Sequence, residues 1–203
     1  MKKIIKTVLL LSLIFSLSGC ALLSNLGNEL KGMTLGNEYN ITFYDNSGFE
    51  FMSAHGKNIG ITPNYVYEKN FTSDGDVIRK KTLSSVVTVT LDGKEIESCG
   101  TTMIFAETGL EPEVKFTAKD IDENGGTVAY VAKLVNEYKN YFGKSRVAVI
   151  QSQLGNPICA FSGDSVYWEV VEDLPKTTKL MIDGNALYIH RANFQIIDLE
   201  LLN

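Results

Sequence analysis

Few residues in this chain are placed to do chemistry. Only two histidines occur, His55 and His190. Any histidine-based triad or metal centre must use them, and a metal needs three or more convergent ligands. His55 stands in Ala54-His55-Gly56, where a hairpin tip is expected, and His190 in Tyr188-Ile189-His190-Arg191-Ala192-Asn193, a polar cluster between two apolar runs. No S-x-x-K pattern, G-x-S-x-G elbow, phosphate loop or G-x-G-x-x-G fingerprint is present. Asp120-Ile121-Asp122-Glu123-Asn124-Gly125 matches the start of a calcium loop, but its twelfth position is Val131 rather than a bidentate Glu. Glu169 with Asp173 or Asp198 are the carboxylates that a hydrolase would need about 5–10 Å apart. No catalytic residue, metal ligand or cofactor is assigned from these patterns. The surface singled out for a ligand is His190, Arg191 and Asn193 with the aromatic pair Tyr167 and Trp168, because strand patterning gives no reason for a basic cluster there.

The remaining chemistry is at the N-terminus. Lys2, Lys3 and Lys6 precede an apolar run from Thr7 to Leu17, a signal-peptide pattern too short to span a bilayer. It closes on Leu17-Ser18-Gly19-Cys20, which resembles the lipobox of bacterial lipoproteins, whose cysteine thiol receives diacylglycerol. That resemblance implies lipidation of Cys20 and a protein held on the extracytoplasmic face of the cell membrane. A signal anchor, or a secretory signal cut elsewhere, would use the same segment without Cys20.

Removing residues 1–19 leaves 16 basic against 24 acidic side chains, a net charge of −8 compared with −5 for the full chain. A surface of that sign repels phosphate backbones, which argues against nucleic-acid partners and leaves membrane contact to the anchor. Of the 19 basic residues only Arg79, Arg146 and Arg191 are arginine, a lysine bias that favours a Gram-positive owner. Cys99 and Cys159 lie in strand-like stretches and read as two buried free thiols, with a disulfide as the alternative.

Glycine turns and β-branched and aromatic runs predict a mainly β protein with about fourteen antiparallel strands, as a barrel or a sandwich. The period changes at Thr127 to Phe142, where apolar residues recur at helical spacing and predict one amphipathic helix over about 126–142. The organisation expected is a signal peptide at 1–19, an anchor and stalk at 20–35, and a single β-rich domain at 36–203. Within that domain, 36–110 and 145–203 read as similar modules. Gly48 and Gly56 are spaced like Gly155 and Gly163, and after a gap of 16 residues Leu91-Asp92-Gly93 falls on Ile182-Asp183-Gly184. An extra hairpin near Tyr65 to Lys81 accounts for the gap.

Ser152-Gln153-Leu154-Gly155, Val166-Tyr167-Trp168-Glu169-Val170, the run from Asp173 to Gly184, and Ile189-His190-Arg191-Ala192-Asn193-Phe194 are distinctive. So are Leu35-Gly36-Asn37-Glu38-Tyr39, Ser84-Ser85-Val86 and Tyr138-Lys139-Asn140-Tyr141-Phe142-Gly143. Through them nearly all of the chain beyond the signal resembles an uncharacterised family of Gram-positive lipoproteins. The resemblance implies location and a single domain family, and carries no activity or site residue across. The functional expectation is therefore a non-enzymatic surface lipoprotein that binds a small ligand or another envelope protein. The alternative is an envelope hydrolase working through the carboxylates named above.

Overall fold

Two dipeptides organise the chain. Asp92-Gly93 and Asp183-Gly184 take positive φ at both residues, 47° and 80° in the first and 48° and 90° in the second. That is the backbone a two-residue hairpin turn demands. Each aspartate also ties down a second turn. Asp92 Oδ1 accepts from the amides of Lys57 and Asn58 at 3.3 and 3.0 Å. Asp183 Oδ1 accepts from the amides of Asp164 and Ser165 at 2.9 and 2.8 Å.

The computed structural model describes residues 33–35, 37–116, 144–172 and 174–202. The strands are β1 (Met33–Leu35), β2 (Tyr39–Tyr44), β3 (Glu50–Gly56), β4 (Ile59–Phe71), β5 (Val77–Leu91), β6 (Lys94–Cys99) and β7 (Thr102–Glu107). They continue as β8 (Val114–Lys115), β9 (Arg146–Gln151), β10 (Pro157–Gly163), β11 (Val166–Val170), β12 (Thr177–Ile182), β13 (Asn185–His190) and β14 (Asn193–Asp198). A 3-10 turn follows at Leu199–Leu202. Among the described residues all pairings are antiparallel, in three sheets ordered β1-β4-β5-β6, β14-β9-β10-β8 and β11-β12-β13-β7-β2-β3, none closed into a barrel. The helix expected over 126–142, the calcium-like loop at 120–125 and Cys20 all lie outside the described residues. Among the described residues the only helical backbone is the 3-10 turn.

The two halves repeat one pairing scheme. β2 pairs with β3 and β7, and β5 with β4 and β6; β9 pairs with β10 and β14, and β12 with β11 and β13. Register agrees in detail. Tyr39 opposes Gly56 and Glu107, as Arg146 opposes Gly163 and Asp198. The irregularity where Tyr44 meets Glu50 recurs where Gln151 meets Pro157. β4 and β5 are single long strands, where the sequence pattern breaks each into two.

The six-stranded sheet is the middle layer. Tyr39, Ile41, Phe43, Met103, Phe105 and Tyr188 on one face pack against Ile59, Ile61, Val87, Val89 and Leu91 of the first sheet. Ile104, Ala106, Leu180, Ile182, Leu187 and Ile189 on the other pack against Ala148, Ile150, Ile158 and Phe161. Successive residues of a strand point to opposite faces, so β7 from Met103 to Ala106 and β13 from Ala186 to Ile189 are apolar without interruption because both their faces are covered.

Gly56 and Gly163 occupy the same corner of each module. A Cβ at Gly163 would stand 3.0 Å from Val166 Cγ2 and 3.1 Å from both Ile182 Cγ2 and Asp183 Oδ1. Gly163→Ala should therefore lower the unfolding free energy by about 1–3 kcal/mol, the usual range for overpacking, with the denaturant slope unchanged. Chemical denaturation measures both.

Candidate binding cleft

The residues singled out in the sequence divide into two places. His190 ends β13 and is buried, its Nδ1 2.8 Å from Thr177 Oγ1. Burial, with Arg191 and Lys176 nearby, pushes its pKa down to about 4. Arg191 takes φ of 53° in the turn between β13 and β14, donates its amide to Lys176 O, and receives Thr102 Oγ1–H on its own carbonyl at 2.6 Å. Its guanidinium is partly buried: Nη2 donates to Gln153 Oε1 at 3.2 Å, and among the described residues Nε has no hydrogen-bond partner. Asn193 Nδ2 donates to Ser152 O at 3.0 Å, and Gln153 Nε2 donates to Gly100 O at 2.8 Å. This cluster stitches three turns together. Tyr167 and Trp168 are not part of it. They lie exposed on β11, the edge of the middle sheet, with β12 between them and β13.

Glu169 Oε2 accepts from Lys179 Nζ at 2.7 Å, which raises the lysine pKa. Asp198 is on β14 in another sheet, and Asp173 lies outside the described residues. Cys99 and Cys159 are free thiols. Cys159 is buried, and that burial pushes its pKa up to about 12. Cys99 is exposed on edge strand β6, a correction to the expectation of two buried thiols.

A cleft of about 490 Å³ lies elsewhere, on the outward face of β2 and β3. β2 reads Tyr39-Asn40-Ile41-Thr42-Phe43-Tyr44, so its odd residues enter the core and Asn40, Thr42 and Tyr44 line the cleft. Ser53, His55 and Glu50 of β3 join them, over a floor that includes Ile104, Ala106 and Phe161. Leu110, Glu111, Pro112 and Lys115 close one side. The His55 ring is held at both nitrogens, Nδ1 2.9 Å from Asn40 Oδ1 and Nε2 2.8 Å from Glu38 Oε1. Burial raises the Tyr44 pKa well above the usual phenol range, so its hydroxyl stays protonated.

The second module shows what this face becomes when it is closed. By the shared register Asn40, Thr42 and Ser53 correspond to Val147, Val149 and Ala160. Those three form an apolar cluster with Leu199, Val114, Phe116 and Ile197. The first module puts polar residues at positions where its twin builds core. Comparing the two halves position by position carries that signal in the sequence, and inspection of motifs alone misses it. Chemically, the cleft presents amide and hydroxyl groups, an imidazole, two carboxylates and one ammonium over an apolar floor, a lining suited to orienting a small polar ligand. Among the described residues, no three His, Cys, Asp or Glu side chains converge as a metal site.

Sheets and cleft together define a two-module, three-layer antiparallel β protein. The chain belongs to the family described as a domain of unknown function (DUF5052), whose model matches residues 2–202. No curated protein and no solved structure matches it.

The His190 environment has a consequence for acid stability. A pKa lowered from 6.5 to about 4 means the folded state resists a proton that the unfolded chain accepts. Stability from this group is therefore full above pH 6.5 and is lost as pH falls toward 4, by roughly 3 kcal/mol in all. Denaturation followed from pH 7.5 to 4 should show this loss. His190→Gln should be less stable at pH 7 and have a flatter profile across that window.

Proposed function

We propose that the protein is a non-enzymatic binding protein, lipid-anchored through Cys20 on the extracytoplasmic face of the membrane, and that its ligand is a small polar molecule held in the β2–β3 cleft. The observation that carries the binding reading is the polar lining of Asn40, Thr42 and Ser53 on a face whose twin is closed and apolar. Polar side chains there give up core burial of the kind Val147, Val149 and Ala160 achieve, and hydrogen bonding to a ligand is the gain that offsets it. The anchor reading rests on Leu17-Ser18-Gly19-Cys20 behind a basic and apolar leader. Two acyl chains suffice for stable attachment.

Cell-wall muropeptides and short peptides, titrated against the purified protein by calorimetry, test the binding. At least one should bind, and Ser53→Trp, which fills the cleft, should weaken it by more than about tenfold, or about 1.4 kcal/mol. Undiminished binding to Ser53→Trp would remove the cleft from the account. Turnover of a ligand that Glu169→Gln abolishes would replace binding with hydrolysis. The anchor is read separately by cell fractionation. The wild-type chain should stay with membranes through a salt wash, and Cys20→Ala should be uncleaved or released. A Cys20→Ala chain that is processed and retained like wild type would refute lipidation.

A further inference from the structure

The long β4–β5 hairpin extends past the body of the protein as a two-stranded arm over residues 65–83, and this is the insertion that separates the first module from the second. The register shifts between Pro63 and Tyr65, where the hairpin leaves the core. Such irregularities bend and twist a ribbon away from its sheet. Beyond that point Tyr65 opposes Leu83, Tyr67 opposes Lys81, Lys69 opposes Arg79 and Phe71 opposes Val77. Cross-strand partners share a face. One face of the arm therefore carries three aromatic rings, Leu83 and Val77 together with three cations.

Nothing in the described structure covers this face. Tyr67 is 68% exposed and Phe71 73%, and Lys81 Nζ sits 4.4 Å from the centre of the Tyr65 ring. A two-stranded ribbon has no second layer in which to hide such residues, and contiguous exposed apolar side chains mark contact surfaces. The strands of the arm hold Lys69, Arg79, Lys80 and Lys81 against Glu68 alone, on a chain whose net charge is −5. Asp74 and Asp76 are confined to the turn at the tip.

We propose that this aromatic and basic face rests on an anionic phospholipid bilayer. Rings that are apolar at one end and polar at the other suit the headgroup boundary, and lysine and arginine are drawn to anionic headgroups. The carboxylates at the tip favour face-on contact over tip-first insertion. The route of the chain agrees. β1 runs antiparallel to β4, with Met33 opposite Ile61 and Leu35 opposite Ile59. The polypeptide thus joins the sheet at its arm-side end. Twelve residues lie between Cys20 and Met33, a contour of at most about 45 Å, so an anchor at Cys20 would hold the arm within reach of the bilayer. The inference draws on the anchor reading for that proximity only.

The test is a tryptophan placed on the arm, Phe71→Trp in a Trp168→Phe background of the full chain, in vesicles with brominated acyl chains. With phosphatidylglycerol present, the emission should shift to shorter wavelength and be quenched by at least half. Salt at about 1 M, where the screening length is about 3 Å, should reverse this, as should the combined changes Lys69→Glu, Arg79→Glu and Lys81→Glu. Cys20→Ala run in parallel separates arm from anchor. Quenching of its arm tryptophan supports the arm even if fractionation refutes the anchor. An arm tryptophan that stays water-exposed and unquenched in membrane-attached protein overturns the proposal. Equal quenching in purely zwitterionic phosphatidylcholine also overturns it, as does an arm that cross-links to an envelope protein instead.

Discussion

The structure depends on one joint, the pairing of β13 with β7. Leu187 opposes Ala106, Tyr188 opposes Phe105, Ile189 opposes Ile104 and His190 opposes Met103. Through it two three-stranded sheets become a single six-stranded layer that both outer sheets can cover. Each large apolar side chain buried there contributes about 1.5–3 kcal/mol. Polar contacts fix the alignment further. Glu107 Oε2 accepts from the Ala186 amide at 2.7 Å, and the Tyr39 and Tyr188 rings meet edge-on at 5.9 Å. The Glu107 carboxylate, one residue beyond the apolar run of β7, thereby bonds across to the first residues of β13. The arm belongs to the first module, and the cleft lies between that module's β2 and β3 and Phe161 of β10, so this joint holds both of its sides in place.

The same symmetry explains why the sheet does not continue. Under the shared register, β6 and β14 are the counterparts of β13 and β7, and among the described residues both are edge strands. β6 reads Lys94-Glu95-Ile96-Glu97-Ser98-Cys99 and β14 reads Asn193-Phe194-Gln195-Ile196-Ile197-Asp198. Paired in the register of the inner joint, Glu95 would face Asp198, and opposed like charges destabilise a strand pair. Charged edge strands are a common guard against sheet growth. The joint is apolar where the two modules meet and charged at its equivalents on the outer strands.

Much of this was legible in the residues. Asp-Gly turns and strict alternation delimit most strands, and the glycine spacing with Asp92 and Asp183 exposes the repeat. The merged strands were not legible, because Pro63 and the stretch from Thr82 to Ser84 look like breaks; Pro63 is buried where the register shifts and the hairpin leaves the core, and pairing continues through both. Layering was not legible either, since an apolar run such as Met103–Ala106 says that two faces are covered without saying by what. The site was largely hidden. Arg191 drew attention as a basic residue in an apolar pattern, yet its surroundings bind turns together. The cleft residues Asn40, Thr42 and Ser53 are ordinary outward positions of half-buried strands. Their meaning comes from the closed twin surface, which only the shared register brings into comparison.

Native-state hydrogen exchange tests the central joint most directly. If β7 and β13 weld the modules into one cooperative unit, their amides open only in global unfolding. The amides of Ile104, Phe105, Leu187 and Ile189 should then share the highest protection in the molecule and equal the free energy measured by denaturation, while the 65–83 arm exchanges far sooner. Contradiction would come from amides of one module exchanging as a group at lower free energy, with β7 and β13 parting before either module unfolds.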